Sequence, residues 1–250
     1  DGDVHKIKME VKDANGNTSI VQFDIKQSGK FTEKQNKDST TYFQQRSFHP
    51  GFVNLFENAN ISFYLPENSL YDSIRFQYKE IYPTTGNTIY QLHNTSVPLQ
   101  TYFPVTIKAA TDQPDKMVMH RFANGKDDYK KAEPVINGKE TGWYRASIRE
   151  IGSFQLMVDN EPPVITPIGF SDGMNCSKQS RIVFVVKDNT EDLKSFTALL
   201  NGNWLRFSND KGSRFIYEFD DKCPAGEHEL KIIAEDMVGN ITEKNYRFTR

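Results

Sequence analysis

Apolar and polar residues alternate with a period of two along most of this 250-residue chain. No other feature constrains the fold as much. Ile7, Met9 and Val11 alternate with Lys8, Glu10 and Lys12, and Val21, Phe23 and Ile25 with Gln22 and Asp24. The same pattern runs through 61–65, 74–78, 105–107, 154–158 and 182–186. Successive side chains of a strand point to opposite faces, so this spacing suits antiparallel strands with one buried face and one wet face. No long stripe of 3.6-residue period competes with it. The best short helical candidate, Glu191-Asp192-Leu193-Lys194, reads equally well as a turn. The expected fold class is all-β: tandem antiparallel β-sandwiches with an immunoglobulin-like C-terminal domain. Hydrophobic residues make up only 37%, but 18 Phe, 11 Tyr and 2 Trp supply large rings to fill the cores.

A repeat marks the domain organisation. Asp13-Ala14-Asn15-Gly16-Asn17 recurs as Asp236-Met237-Val238-Gly239-Asn240, each copy between two strand patterns. The spacing predicts a tight hairpin in which Asp caps the turn through its side chain and Gly takes the positive-φ position. In immunoglobulin-like sandwiches such a hairpin joins the last two strands, so residues 1–27 read as the terminal hairpin of a truncated domain. Residues 28–47 are polar and read as a linker. Asp159-Asn160-Glu161-Pro162-Pro163 marks a second boundary, because paired prolines cannot continue a sheet ladder. A middle β-sandwich is thus expected over 48–160 and an immunoglobulin-like one over 163–250.

The search for chemistry returns little. With 31 basic and 33 acidic residues the chain has a net charge of −2, which argues against a nucleic-acid partner. It has no apolar run long enough to span a membrane as a helix. His5, His49, His93, His120 and His228 are scattered, with no HxH, HxxxD or HExxH among them. No nucleophile elbow or phosphate-binding glycine loop is present. Asp13–Asn17 carries alternate oxygens like a calcium loop, but Thr18 stands where that loop needs Gly, so the hairpin reading is preferred. No catalytic residue, metal ligand or cofactor is expected. Cys176 and Cys223 fall in loops at one end of a sandwich, so a disulfide and a pair of buried free thiols are both open. Trp143-Tyr144 and Tyr102-Phe103 are candidates for a ligand platform. One member of each adjacent pair must nevertheless point inward on a strand, which favours core or interface roles.

Several segments of the terminal domain resemble one family. These are Pro162-Pro163-Val164-Ile165-Thr166-Pro167, Ser171-Asp172-Gly173-Met174, Arg181-Ile182-Val183-Phe184, Cys223-Pro224-Ala225-Gly226-Glu227-His228-Glu229-Leu230 and Asp236-Met237-Val238-Gly239-Asn240. They are similar to the C-terminal β-sandwich region of the lysostaphin-like zinc metallopeptidases of Bacteroidetes. In the middle domain, Ile61-Ser62-Phe63-Tyr64-Leu65-Pro66-Glu67-Asn68-Ser69-Leu70-Tyr71 and Phe103-Pro104-Val105-Thr106-Ile107 resemble the β-sandwich module of ankyrins and netrin receptors. Ile151-Gly152-Ser153-Phe154 resembles the family's junction. Those peptidases hold zinc through HxxxD and HxH elements that this chain lacks, so no catalytic residue carries over. The resemblance implies a non-catalytic accessory, spacer or docking region of an exported enzyme that cuts peptidoglycan. That role implies a periplasmic or cell-surface location, with peptidoglycan or another cell-envelope protein as partner. The alternative is a stand-alone surface adhesion or glycan-binding module.

Overall fold

The computed structural model describes residues 4–26, 39–42, 47–135, 142–209 and 212–250, with the backbone alone for Ser39–Tyr42. The chain divides into two compact units, Asp1–Lys37 and Asp38–Arg250.

In the first unit, β1 (Val4–Lys12) and β2 (Thr18–Lys26) form an antiparallel ribbon in register from Val4↔Lys26 to Lys12↔Thr18. Asp13 makes the turn. Its Oδ1 accepts hydrogen bonds from the backbone N–H of Asn15 (2.9 Å) and Asn17 (2.8 Å), and its Oδ2 accepts one from Asn17 Nδ2 (2.6 Å). Gly16 sits at φ 87°, where a Cβ would be strained. Ile7, Met9, Phe23 and Val21 share one face of the ribbon, as the alternation requires.

The second unit holds two sandwiches. The first begins with β3 (Ser39–Tyr42), β4 (Ser47–Phe48), β5 (Asn54–Glu57), β6 (Ile61–Leu65), β7 (Ile74–Arg75), β8 (Tyr78–Ile81) and β9 (Ile89–Leu92). It continues with β10 (Phe103–Lys108), β11 (Met117–Ala123), β12 (Lys126–Lys131), β13 (Glu133–Pro134), β14 (Trp143–Ile148) and β15 (Ser153–Val158). One sheet runs β13-β14-β10-β6-β5, the other β12-β11-β15-β9-β8-β3, and β4 pairs with β7. Aromatic rings fill the space between: Phe48 stacks on Phe76 at 4.6 Å, and Phe56 lies 4.6 Å from Tyr78. The sequence reading placed a linker over 28–47. Residues 28–38 and 43–46 lie outside the described residues, but Ser39–Tyr42 is an edge strand on β8 and Ser47 opens β4. Edge pairing is made by the backbone, so a polar Ser-Thr-Thr-Tyr stretch can join a sheet without an apolar face to announce it.

The second sandwich comprises β16 (Val164–Ile168), β17 (Met174–Asn175), β18 (Arg181–Lys187), β19 (Leu193–Leu200), β20 (Asn203–Leu205), β21 (Ser208–Asn209), β22 (Arg214–Glu218), β23 (Glu227–Asp236) and β24 (Ile241–Thr249). Its sheets are β16-β18-β22-β21 and β17-β24-β23-β19-β20, with β17 parallel to β24. This division, with the chain crossing repeatedly from one sheet to the other and β23 and β24 closing it as a hairpin, is the immunoglobulin-like arrangement. Phe184 is completely buried at its centre, edge-on to Phe170 at 5.8 Å. The chain turns at Asn189–Glu191, with Glu191 at φ 67°, and Leu193 and Lys194 already belong to β19. The protein is all-β, and among the described residues the one helical turn is a 3-10 turn, Pro114–Lys116.

Candidate functional site

Three strand ends of the second unit meet where the first sandwich gives way to the second. Each ends in an aspartate whose side chain caps its own turn. Asp159 follows β15, and its Oδ1 accepts from the N–H of Glu161 (3.1 Å). Asp188 follows β18, and its Oδ2 accepts from the N–H of Thr190 (2.9 Å) and from the Thr190 hydroxyl. Asp236 closes β23, and its Oδ1 accepts from the N–H of Val238 (2.9 Å) and Asn240 (2.8 Å). The last turn repeats Asp13–Asn17 bond for bond, including Asn240 Nδ2 donating to Asp236 Oδ2 at 2.6 Å. Short polar side chains capture nearby N–H groups in this way wherever a strand must stop.

The same residues bind the two sandwiches to each other. Asn240 Nδ2 also donates to the carbonyl of Asp159 (3.0 Å), and Asn189 Nδ2 donates to Asp159 Oδ1 (3.0 Å). From the 3-10 turn of the first sandwich, Lys116 Nζ donates to the Val238 carbonyl (3.0 Å) and to Asn240 Oδ1 (2.6 Å). Further out, Lys130 Nζ lies 3.0 Å from Asp128 and 3.7 Å from Asp192 across the junction.

At the centre, one carboxylate oxygen from each of Asp159, Asp188 and Asp236 lies within 4.8 Å of the others. Asp159 is 1% exposed and Asp236 0%, while Asp188 is partly buried. Asp159 Oδ2 and Asp188 Oδ1 are buried yet accept no hydrogen bond. Burial pushes the Asp188 carboxyl above the usual carboxylate range. The Asp159 and Asp236 charges add to that rise, and its bonds from Thr190 oppose it. Among the described residues, no ion pair involves any of the three. A cleft of about 770 Å³ opens beside Asp188, lined among others by Glu191, Asp192, Lys194 and Phe215.

No metal ligand was expected from the sequence, and the reason is spacing. The three aspartates stand far apart in the chain, with no ligand-type interval between them. The signal that marks them is turn chemistry: Asp followed by Asn at 159 and 188, and the Asp-x-x-Gly-Asn repeat at 236.

Of the four platform candidates, one ring of each adjacent pair is buried. Tyr144 and Phe103 are buried core residues, 4% and 1% exposed, and each lies on the inward face of its strand. Trp143 is partly buried beneath Lys108, whose ammonium sits 5.6 Å from the ring centroid. Tyr102 alone of the four is well exposed, at 60%. Trp204, which the sequence reading passed over, is 61% exposed on β20, with Lys222 Nζ 5.9 Å from its ring. Of the two alternatives for Cys176 and Cys223, the structure has free thiols, both fully buried in the second core. Burial pushes both thiols up, and each cysteine is near enough for a charge on Cys176 to raise Cys223 further.

A family model described as a Zu5-like domain matches residues 45–159, a little under half of the chain. No curated protein matches the sequence at a significant level. Solved structures show weak likenesses. An endo-beta-1,4-mannanase from Thermotoga petrophila is 16% identical over 36% of this chain, with a TM-score of 0.31. This chain spans only 20% of that protein's length. The fibronectin(III)-like modules of Clostridium thermocellum CbhA are 14% identical over 60% of this chain and 85% of theirs, with a TM-score of 0.29. A Ca2+-stabilized adhesin of an Antarctic bacterium is 10% identical over 99% of this chain and 81% of its own, with a TM-score of 0.23. At these scores the likenesses carry no functional argument.

Proposed function

We propose that this chain is a non-catalytic accessory region of an exported cell-envelope peptidase acting on peptidoglycan. In that role it holds the enzyme in place or docks it to the wall or to a partner protein. The observation that carries this reading is the junction. Two sandwiches with separate cores are joined by a five-residue Asp-Asn-Glu-Pro-Pro segment and clamped by direct bonds between Lys116, Asn240, Asn189 and Asp159. A region built to position something needs a fixed angle between its modules, and a stiff connector with a polar clamp supplies it. Periplasmic or cell-surface placement belongs to the same proposal.

The alternative, a stand-alone surface adhesin or glycan binder, is favoured by the exposed rings of Tyr102 and Trp204, since sugar faces stack on such rings. The coding sequence ahead of Asp1 separates the two. A domain with HxxxD and HxH elements in the same reading frame is expected, whereas a lipoprotein signal directly ahead of this region overturns the peptidase reading. Pelleting the purified chain with peptidoglycan sacculi then distinguishes docking from spacing. Under docking the chain is retained, and Tyr102→Ala or Trp204→Ala reduces the retained fraction. Under spacing all three proteins stay in the supernatant.

A further inference from the structure

We infer that Asp159, Asp188 and Asp236 form a binding site for a hard divalent cation, calcium by its chemistry, which locks the two sandwiches together. The inference goes beyond the accessory role proposed above and holds equally for an adhesin.

Three observations support it independently of the acidic cluster as such. First, Asp159 is almost fully buried, yet one of its two carboxylate oxygens accepts nothing, and Asp188 has a buried oxygen in the same condition. A buried, unpartnered carboxylate oxygen is costly, and a cation is the partner that removes the cost for several at once. Second, the lysine that reaches across this junction is committed elsewhere. Lys116 spends its donors on the Val238 carbonyl and Asn240 Oδ1, and pairs with none of the three carboxylates. Third, the geometry suits the ion. Oxygens within 4.8 Å of one another fall inside the span of about 4.6–5.2 Å across a calcium ion coordinated at its usual distances.

The donors are all oxygen, with no thiol or imidazole in the cluster, which selects a hard cation over zinc or copper. The turns pre-organise the site. In Asp159 and Asp188 one carboxylate oxygen is tied down by backbone N–H groups, which leaves the other free to face the ion. Solvent in the cleft beside Asp188 gives the ion its route in and supplies the waters that complete a shell of six to eight oxygens. Asp159 belongs to the end of one sandwich, and Asp188 and Asp236 belong to the other, so the ion would bridge them. Three carboxylates and a partly open site correspond to the weaker range of calcium affinities, a Kd of about 10⁻⁴–10⁻³ M.

The test uses the whole 250-residue chain, stripped with a chelator and titrated with calcium chloride. Isothermal titration is expected to show one saturable site. At ten times Kd the thermal midpoint should rise by about 3–6 °C over the chelated protein. Asp188→Asn, which keeps the shape and the bond from Thr190, should weaken binding at least tenfold, as should Asp159→Asn. Amide shifts in the wild-type chain locate the site even if a variant misfolds, and Glu161, Thr190, Val238 and Asn240 should move on titration. Magnesium at the same concentration should shift them less. Absence of saturable binding overturns the inference. So does binding that survives both substitutions, or shifts centred elsewhere.

Discussion

At the scale of single residues, the chain repeatedly uses one short polar side chain to end a strand. Asp13 and Asp236 make the same bonds in the same order, but their surroundings differ. Asp13 is open to water, and its bonds from Asn17, the side-chain bond foremost, hold its carboxyl below the usual range. Asp236 is sealed from solvent and shares its turn partner, Asn240, with the neighbouring sandwich. The cysteines show the same dependence on surroundings. Burial raises both thiols, so less thiolate exists at neutral pH than on an exposed cysteine, and access is blocked as well. At pH 7.5 the native chain is expected to take up almost no iodoacetamide over the time in which an exposed thiol reacts fully. Unfolded in guanidinium without reductant, it should gain two adducts by intact mass. An unfolded chain that gains none would show the two sulfurs bonded instead.

At the scale of elements, alternation and turn chemistry together set the strands. β14 buries Tyr144, Ala146 and Ile148 and turns Arg145 and Ser147 outward, as its sequence requires. Gly239 closes the hairpin between β23 and β24 at φ 82°, and an added Cβ there would meet only Glu235 Oε1 at 3.8 Å. Gly239→Ala therefore adds backbone strain with little crowding, expected to cost about 1–2 kcal/mol in chemical denaturation of the second sandwich. Gly16→Ala imposes the same strain at φ 87° in the first unit and should leave that transition where it is. A loss much below 0.5 kcal/mol for Gly239→Ala would mean that the turn relaxes without its positive φ. β3 was hidden in the sequence because a short edge strand needs only backbone partners, and its residues lack an apolar face.

At the scale of the whole molecule, the junction in the second unit decides what the modules can do together. Lys116 and Asn240 contribute direct bonds between the sandwiches beside those of Asn189 and Lys130, and neither belongs to a hydrophobic core. Lys116→Ala should loosen the junction while both cores stay folded. Losing its two bonds is worth about 1–2 kcal/mol, so cleavage within 159–163 by a broad-specificity protease should speed up about tenfold. An unchanged cleavage rate, with an unchanged thermal midpoint, would show that the connector alone holds the angle.

The sequence by itself determined the all-β class and the two hairpin turns, because each is written in local rules: a period of two and a positive-φ glycine. It also required that one of Trp143 and Tyr144, and one of Tyr102 and Phe103, be buried. Which ring remained exposed, and that Trp204 would join Tyr102 on the surface, was decided by the packing of one sheet on another. The meeting of Asp159, Asp188 and Asp236 was decided by tertiary structure alone. Each aspartate satisfies a local turn rule, so the sequence accounts for each of them fully. Only when three strand ends from two sandwiches converge does a carboxylate oxygen of each come within 4.8 Å of the others, with Asp159 and Asp188 each keeping one oxygen without a hydrogen bond.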